Sequence, residues 1–299
     1  MTASLDDIFA RERRPLWGLC YRMTGSAADA DELVQEAFAR ALERPPADTS
    51  RDLGPWLRTV ALNLARDRLR RRRETHVGVF VPEPVADEEL RSESASPEAR
   101  VSLAESATWA FLLALEALGD KQRAVLVLRD VYDLSTRETA EALELGESHV
   151  KVLLHRARRA LEDARPVRAR PADLALVARF FTALAADDLD GMKALLREDV
   201  VFVSDGAGEV HAARRPVVGR DKVITFQRRT RPAVPPRFAL ATVNGAPALV
   251  YVQAPGVPAG TPPSGVIQLE VDDEGRIARI LACVAPSKTS RFLDRHPVP

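Results

Sequence analysis

Between residues 149 and 159 the chain concentrates side chains that bond to phosphates and base edges. Lys151, His155, Arg156, Arg158 and Arg159 stand largely off an apolar stripe of Val150, Leu154, Ala157 and Leu161, which recur at steps of four, three and four. Cations on one exposed helix face neutralise phosphates and donate to bases, and only Glu162 and Asp163 nearby oppose them. Such a helix needs a partner to aim it. Ser135 and Glu138 have the spacing of a capping box, and Ala140 and Leu143 give a short apolar face. That helix is expected to end near Glu144-Leu145-Gly146, where Gly146 permits a tight turn. Two short helices with a basic second one make a helix-turn-helix that fits a DNA major groove. A helical hairpin with a solvated basic face is the plainer alternative.

A second set of polar groups lies in residues 55–74, which read as one helix with Pro55 near its first position. Trp56, Val60, Ala61 and Leu64 share its inner face, while Asn63, Arg66 and Arg70 share another at steps of three and four. Upstream, Ser26 gives an N-cap signal for a helix with Ala30, Leu33, Val34, Ala37, Phe38 and Ala41 inside and Asp31, Glu32, Gln35 and Glu36 outside. A first helix includes Leu16, Trp17, Leu19 and Cys20, and Pro15 is expected to bend or divide it.

The 299 residues carry 43 Lys+Arg and 43 Asp+Glu, a formal net charge of zero, yet the charge is segregated. From Asp29 to Glu36 there are four acids and no base, and from Arg66 to Arg73 there are six Arg against one Asp. Blocks of opposite sign suggest two different partners. Cys20 and Cys283 are far apart, without metal-ligand spacing, and read as reduced buried thiols of a cytoplasmic protein. No signal-peptide pattern opens the chain, no apolar run approaches the roughly twenty residues of a membrane span, and no metal or cofactor is expected.

Residues 76–102 form an acidic linker containing Pro82, Pro84 and Pro97, with Glu93 and Glu98 among its acids. Within it, the apolar piece from Val79 to Val85 is expected to dock as an extended strand. Residues 166–171 form a second, basic linker. Beyond it, two helices are expected around Leu174 to Leu184 and Leu189 to Leu196, and a third over residues 219–230. β-type runs follow at residues 200–203 and from Glu209, Arg237, Ala248, Gly265 and Arg276, with Asn244-Gly245 as a hairpin turn. Ile267, Leu269 and Val271 alternate with Gln268 and Glu270, which predicts a sheet with one wet face. The result is an α+β domain, a curved sheet wrapped around a helix.

Taken in order, residues 29–42, 55–73 and 115–161 resemble a bacterial sigma factor of the extracytoplasmic-function type. The resemblance implies a domain over residues 1–75 that binds core RNA polymerase through Asp31, Glu32, Gln35 and Glu36. It also implies that Asn63, Arg66 and Arg70 recognise and melt the minus-ten element. A helix-turn-helix domain over residues 103–165 would read the minus-thirty-five element through His149, Lys151, His155 and Arg156.

Residues 172–299 resemble a cone-shaped SnoaL-like domain of the nuclear-transport-factor-2 superfamily, which some of these sigma factors carry in place of a separate anti-sigma protein. Phe80-Val81-Pro82-Glu83-Pro84 is similar to that group's Trp-Leu-Pro-Glu-Pro linker motif. Asp205-Gly206-Ala207-Gly208-Glu209 is similar to its Asp-Gly-Gly-Gly-Lys loop. Ala285-Pro286-Ser287-Lys288 is more distantly similar to its Asn-Pro-Asp-Lys. Phe80, Pro82, Glu83, Pro84, Asp205, Gly206, Gly208 and Glu209 are the expected interdomain regulatory residues.

The expected fold is thus two all-α sigma domains, the second with the helix-turn-helix, followed by the α+β SnoaL-like domain. The expected function is promoter-directed initiation by core polymerase, modulated in cis, and not catalysis. Three alternatives remain: a small-molecule sensor, a cyclase- or isomerase-like enzyme using Asp205 or His211, and a DNA-binding regulator that works without polymerase.

Overall fold

The computed structural model describes every residue except 1–4, 47–51, 77, 91–102, 104, 165–168 and 233. Glu93, Pro97 and Glu98 of the acidic linker, and residues 166–168 of the basic one, lie outside the described residues. The chain divides into two compact units, one of residues 1–75 with 90–164 and one of residues 76–89 with 165–299. Both helical segments therefore share a unit, and the first half of the acidic linker belongs with the C-terminal segment.

The helical unit begins with α1 (Leu5–Thr24), which runs through Pro15 undivided. Of the two outcomes expected at Pro15, division does not occur. Proline in a helix interior costs about 3 kcal/mol. Here Leu16, Trp17, Leu19, Cys20, Tyr21 and Met23 are all buried in the turns that follow, and their burial outweighs that cost. Gly25, at φ 71°, turns the chain, and Ser26 caps α2 (Ala27–Glu43) by accepting from Asp29 N–H at 3.0 Å. The expected inner residues of α2 are all buried.

In α3 (Gly54–Thr75) the inner face is Leu57, Ala61, Leu62, Leu64, Ala65 and Leu69, whereas Trp56 and Val60 are half-buried. The helix is buried on a wider arc than one stripe predicts. Helices Trp109–Ala114 and Asp120–Leu126 follow, and the latter continues into a π-helical turn over Val127–Val131.

The capping box is formed: Glu138 N–H donates to Ser135 Oγ at 3.1 Å and Ser135 N–H to Glu138 Oε2 at 2.7 Å. It opens helix Thr136–Leu143. The turn after it departs from expectation. Glu144, not Gly146, takes the left-handed conformation at φ 53°, and Gly146 is the N-cap of helix Glu147–Asp163 with φ −75°. Leu145 N–H closes the helix end by donating to Ala140 O at 2.9 Å, so the hydrogen bonds hold a strained non-glycine residue there. Val150, Leu153 and Ala157 form the buried stripe of the second helix, with Leu154 and Leu161 half-buried.

The other unit is built on one mixed sheet. Its strands are β1 (Arg170–Pro171), β2 (Leu196–Asp205), β3 (Val217–Val218), β4 (Arg237–Val243), β5 (Ala246–Val252), β6 (Ser264–Val271) and β7 (Ile277–Cys283). They run in the order β3-β2-β7-β6-β5-β4, with β1 beside β6, and β2 and β7 are the parallel pair. Helices Leu174–Ala185, Leu189–Leu195 and Arg220–Arg229 contribute Val177, Phe180, Met192, Val223 and Ile224 to a core shared with Phe202, Leu269 and Ile280.

Two expectations are corrected. No strand forms from Glu209, because Ala207 and Gly208 take φ 49° and 77° and Glu209 N–H folds back to Gly206 O at 2.8 Å. Nor does β6 have a wet face: Gln268 and Glu270 are each 4% exposed. Gln268 donates to Val243 O at 2.6 Å and Glu270 pairs with Arg279 at 2.8 Å, so each meets a partner within the protein.

Candidate nucleic-acid interface and linker socket

The Ser26 cap sets the rotation of α2 and turns its acids outward. Glu32, Gln35 and Glu36 are exposed and Asp31 is half-exposed. The face is partly neutralised within the unit. Arg68 on α3 donates to Glu32 at 2.9 Å and also pairs with Asp29, and Glu36 accepts from Arg40 at 2.6 Å.

On α3, Asn63 and Arg70 are exposed, and Arg70 holds Asp67 at 2.9 Å. Arg66 is not open in the same way. Its Nε and Nη2 donate to Asp120 Oδ2 at 3.1 and 3.0 Å, and Nη1 reaches Asn63 Oδ1 at 3.3 Å. One turn further, Arg72 Nη2 donates to Glu116 Oε2 at 2.5 Å and Arg73 Nη2 to Leu118 O at 2.7 Å. Glu116 also accepts from the fully buried Arg123 at 2.8 Å. Burial alone would raise Glu116, but Arg123 and Arg72 outweigh it and hold the carboxyl at about 2. Burial lowers Arg123 to about 10, still charged at neutral pH.

On helix Glu147–Asp163, the four candidate readers His149, Lys151, His155 and Arg156 are all exposed. Arg158, beside them, is diverted to Asp130 by two bonds of 2.9 and 2.6 Å.

In the other unit the linker piece lies in a socket. Phe80, Val81, Pro82, Glu83, Pro84, Val85 and Ala86 are all buried. Asp205 ends β2, and one of its oxygens accepts from Val81 N–H at 2.8 Å and from Lys288 Nζ at 2.6 Å. The same ammonium donates to Val81 O at 2.8 Å and sits 3.8 Å from the centre of the Phe80 ring. The other Asp205 oxygen accepts from Ala207 N–H at 2.8 Å and has His76 Nε2 at 3.6 Å. Gly206 is required by space, since a Cβ there would lie 2.7 Å from Val210 O. Gly208 is required by its φ of 77°. Glu209 accepts from Ser287 N–H at 3.1 Å and from the Ser287 hydroxyl, and so caps the last helix, Pro286–Arg295. His211 is exposed, and its N–H donates to Gly260 O at 2.7 Å.

The structure thus gathers Phe80 to Pro84, Asp205, Gly206, Gly208 and Glu209 into one place. Sequence reasoning passed over Lys288, the cation at the centre of this node; its signal was the short similarity at Ala285 to Lys288. It also read Asn244 only as a turn residue, although Asn244 Oδ1 accepts from Val85 N–H at 3.0 Å. Glu116 and Asp120 carried no signal, because only the fold brings them to α3.

Three family models match the chain: Sigma-70 region 2 over residues 8–75, Sigma-70 region 4 over 108–161, and the SnoaL-like domain over 177–280. The two Sigma-70 matches cover the acidic-and-basic helical segment and the helix-turn-helix, and so place the chain among the sigma-70-type factors. The ECF RNA polymerase sigma factor SigJ of Mycobacterium tuberculosis is 37% identical over 83% of this chain and 81% of its own length. The crystal structure of the M. tuberculosis extracytoplasmic function sigma factor SigJ has a TM-score of 0.72 and 32% identity, covering 97% of this chain and 99% of that one. The chain belongs to the ECF sigma factors of RNA polymerase, and carries a SnoaL-like domain after its sigma regions. Its role is that of a factor that binds core polymerase and directs it to promoters.

One expectation is overturned here. The SnoaL-like match gives the C-terminal unit a fold related to that of enzymes. The statement that this chain is no enzyme is therefore withdrawn. No helix among the described residues is long and apolar enough to cross a membrane.

Proposed function

We propose that this factor is regulated in cis: the C-terminal unit holds the linker that precedes the helix-turn-helix segment, and through it governs how the two promoter-binding segments are used. The observation that carries this reading is the Asp205–Lys288 node. It bonds to both the N–H and the C=O of Val81, and so grips the linker by its backbone.

The other roles follow the sigma regions. Asp31, Glu32, Gln35 and Glu36 meet a basic surface of core polymerase. Asn63, Arg66 and Arg70 act on the minus-ten element. His149, Lys151, His155 and Arg156 act on the minus-thirty-five element, with base contacts worth about 1–3 kcal/mol of discrimination each. Work with polymerase and DNA puts the protein in the cytoplasm, where Cys20 and Cys283, free and buried, stay reduced.

The test is transcription in vitro with purified core polymerase, comparing the full chain with one ended near Arg170. Altered promoter output at equal polymerase affinity supports regulation in cis, whichever the sign. Equal output from both chains overturns it.

A further inference from the structure

Past Pro84 the linker is pinned by groups outside the motif residues. Val85 N–H donates to Asn244 Oδ1 and Asn244 N–H to Val85 O, both at 3.0 Å. Ala86 bridges Val243, and Gly245 N–H donates to Asp87 at 2.8 Å. Glu89 then takes Arg291 at 2.7 Å and Arg295 at 2.6 Å, two guanidiniums one turn apart on helix Pro286–Arg295. Glu89 is also the last linker residue of its unit; from Leu90 the chain belongs to the helical unit.

We propose that Arg291 and Arg295 form an exit clamp: a second binding site, for the Glu89 carboxylate, that opens independently of the Asp205–Lys288 node and fixes where the linker leaves the C-terminal unit. The inference rests on the reading that this unit holds the linker. The two sites differ in solvent. At the node, the side chains of Asp205 and Lys288 are 1% and 9% exposed; at the clamp, Arg295 is 53% exposed, with Arg291 and Glu89 near one fifth. Salt screens exposed charges far more than buried ones, so the clamp yields to ionic strength while the node persists. Opening it frees the exit from Asp87 onward and leaves Val81 in place. The linker then has three states, namely fully seated, seated with a loose exit, and released.

Amide hydrogen exchange on the full chain tests this. Two amides report the clamp, Glu89, which donates to Ala86 O, and Gly245, which donates to Asp87. Val81 reports the node. Raising sodium chloride from about 0.1 M to about 1 M shortens the screening length from about 10 Å to about 3 Å. It should speed exchange at Glu89 and Gly245 by about fivefold and at Val81 by less than about twofold. Arg291→Gln with Arg295→Gln should do the same at low salt. Glu89→Arg should speed these amides as well, and adding Arg295→Glu to it should restore part of the protection, which a misfolded variant would not. If Val81 and Glu89 accelerate together, the seat is one cooperative unit and the clamp is wrong. If Glu89 and Gly245 do not respond, the pair holds nothing. If Val81 exchanges at the unprotected rate in the unaltered chain, the linker is not docked, and the reading on which the clamp rests fails instead.

Discussion

Each unit holds a carboxylate among cations, the half-buried Glu116 in one and the buried Asp205 in the other, and the two solve the same problem differently. Glu116 in the helical unit is satisfied by side chains alone, Arg72 and Arg123. Asp205 in the C-terminal unit is satisfied by one side-chain cation and by backbone N–H groups, those of Val81 and Ala207. A node made of side chains depends on the identity of every member. A node that reads backbone depends on the linker's path and little on its side chains. Here the Phe80 ring covers the Lys288 ammonium, and Val81 does the bonding.

The largest expected effect breaks the second node from its cationic side. Lys288→Met strands the Asp205 carboxylate in the interior, at a cost of about 3–5 kcal/mol. Exchange across residues 79–86 should then approach the unprotected rate while the β6 and β7 amides keep their protection. Val81→Ile, which leaves the backbone bonds in place, should change this exchange little. If the two substitutions release the linker equally, the node does not work through backbone.

Acid probes the first node. Glu116 titrates near 2 in the folded chain against an ordinary value of 4.5, so it binds its proton more readily when unfolded. Its contribution, about 3 kcal/mol, is complete above pH 4.5 and lost as pH falls toward 2. Glu116→Gln should therefore lower the urea midpoint of the helical unit at neutral pH. It should also flatten that midpoint's decline through the acid range. A decline as steep as that of the parent chain would show that other carboxylates govern it.

The smallest effect concerns Arg66. Its pair with Asp120 is partly exposed and worth about 0.2–1 kcal/mol, so Asp120→Asn should tighten single-stranded minus-ten DNA on the holoenzyme by no more than about fivefold. Arg66→Ala with Asp120→Asn should erase the gain. Fluorescence anisotropy with a labelled oligonucleotide reads both. No gain for Asp120→Asn would mean that the pair does not restrain Arg66.

The local half of this molecule was legible. The Ser135–Glu138 box, the Ser26 cap, the Asn244-Gly245 turn and most strands follow from spacing and φ preferences, which act over a few residues. Legibility failed wherever a distant neighbour decides. Pro15 stays within its helix because of what its following turns bury, and Gln268 and Glu270 are buried because Val243 and Arg279 happen to face them. The linker socket was half visible. Asp205 and its glycines stood out by type, but Lys288 lies 83 residues away from Asp205 and needed the fold to bring it there.

The π-helical turn over Val127–Val131 holds Tyr132 N–H on Val127 O, five residues back, at 3.1 Å. Such a turn is what an α-helix becomes when it absorbs one extra residue without breaking. Removing one residue there should heal the helix and rotate everything beyond it by roughly 100°, one residue's share of a 3.6-residue turn. The helix-turn-helix that follows would then present another face, so the length of this segment, more than its composition, sets how the helix-turn-helix is aimed.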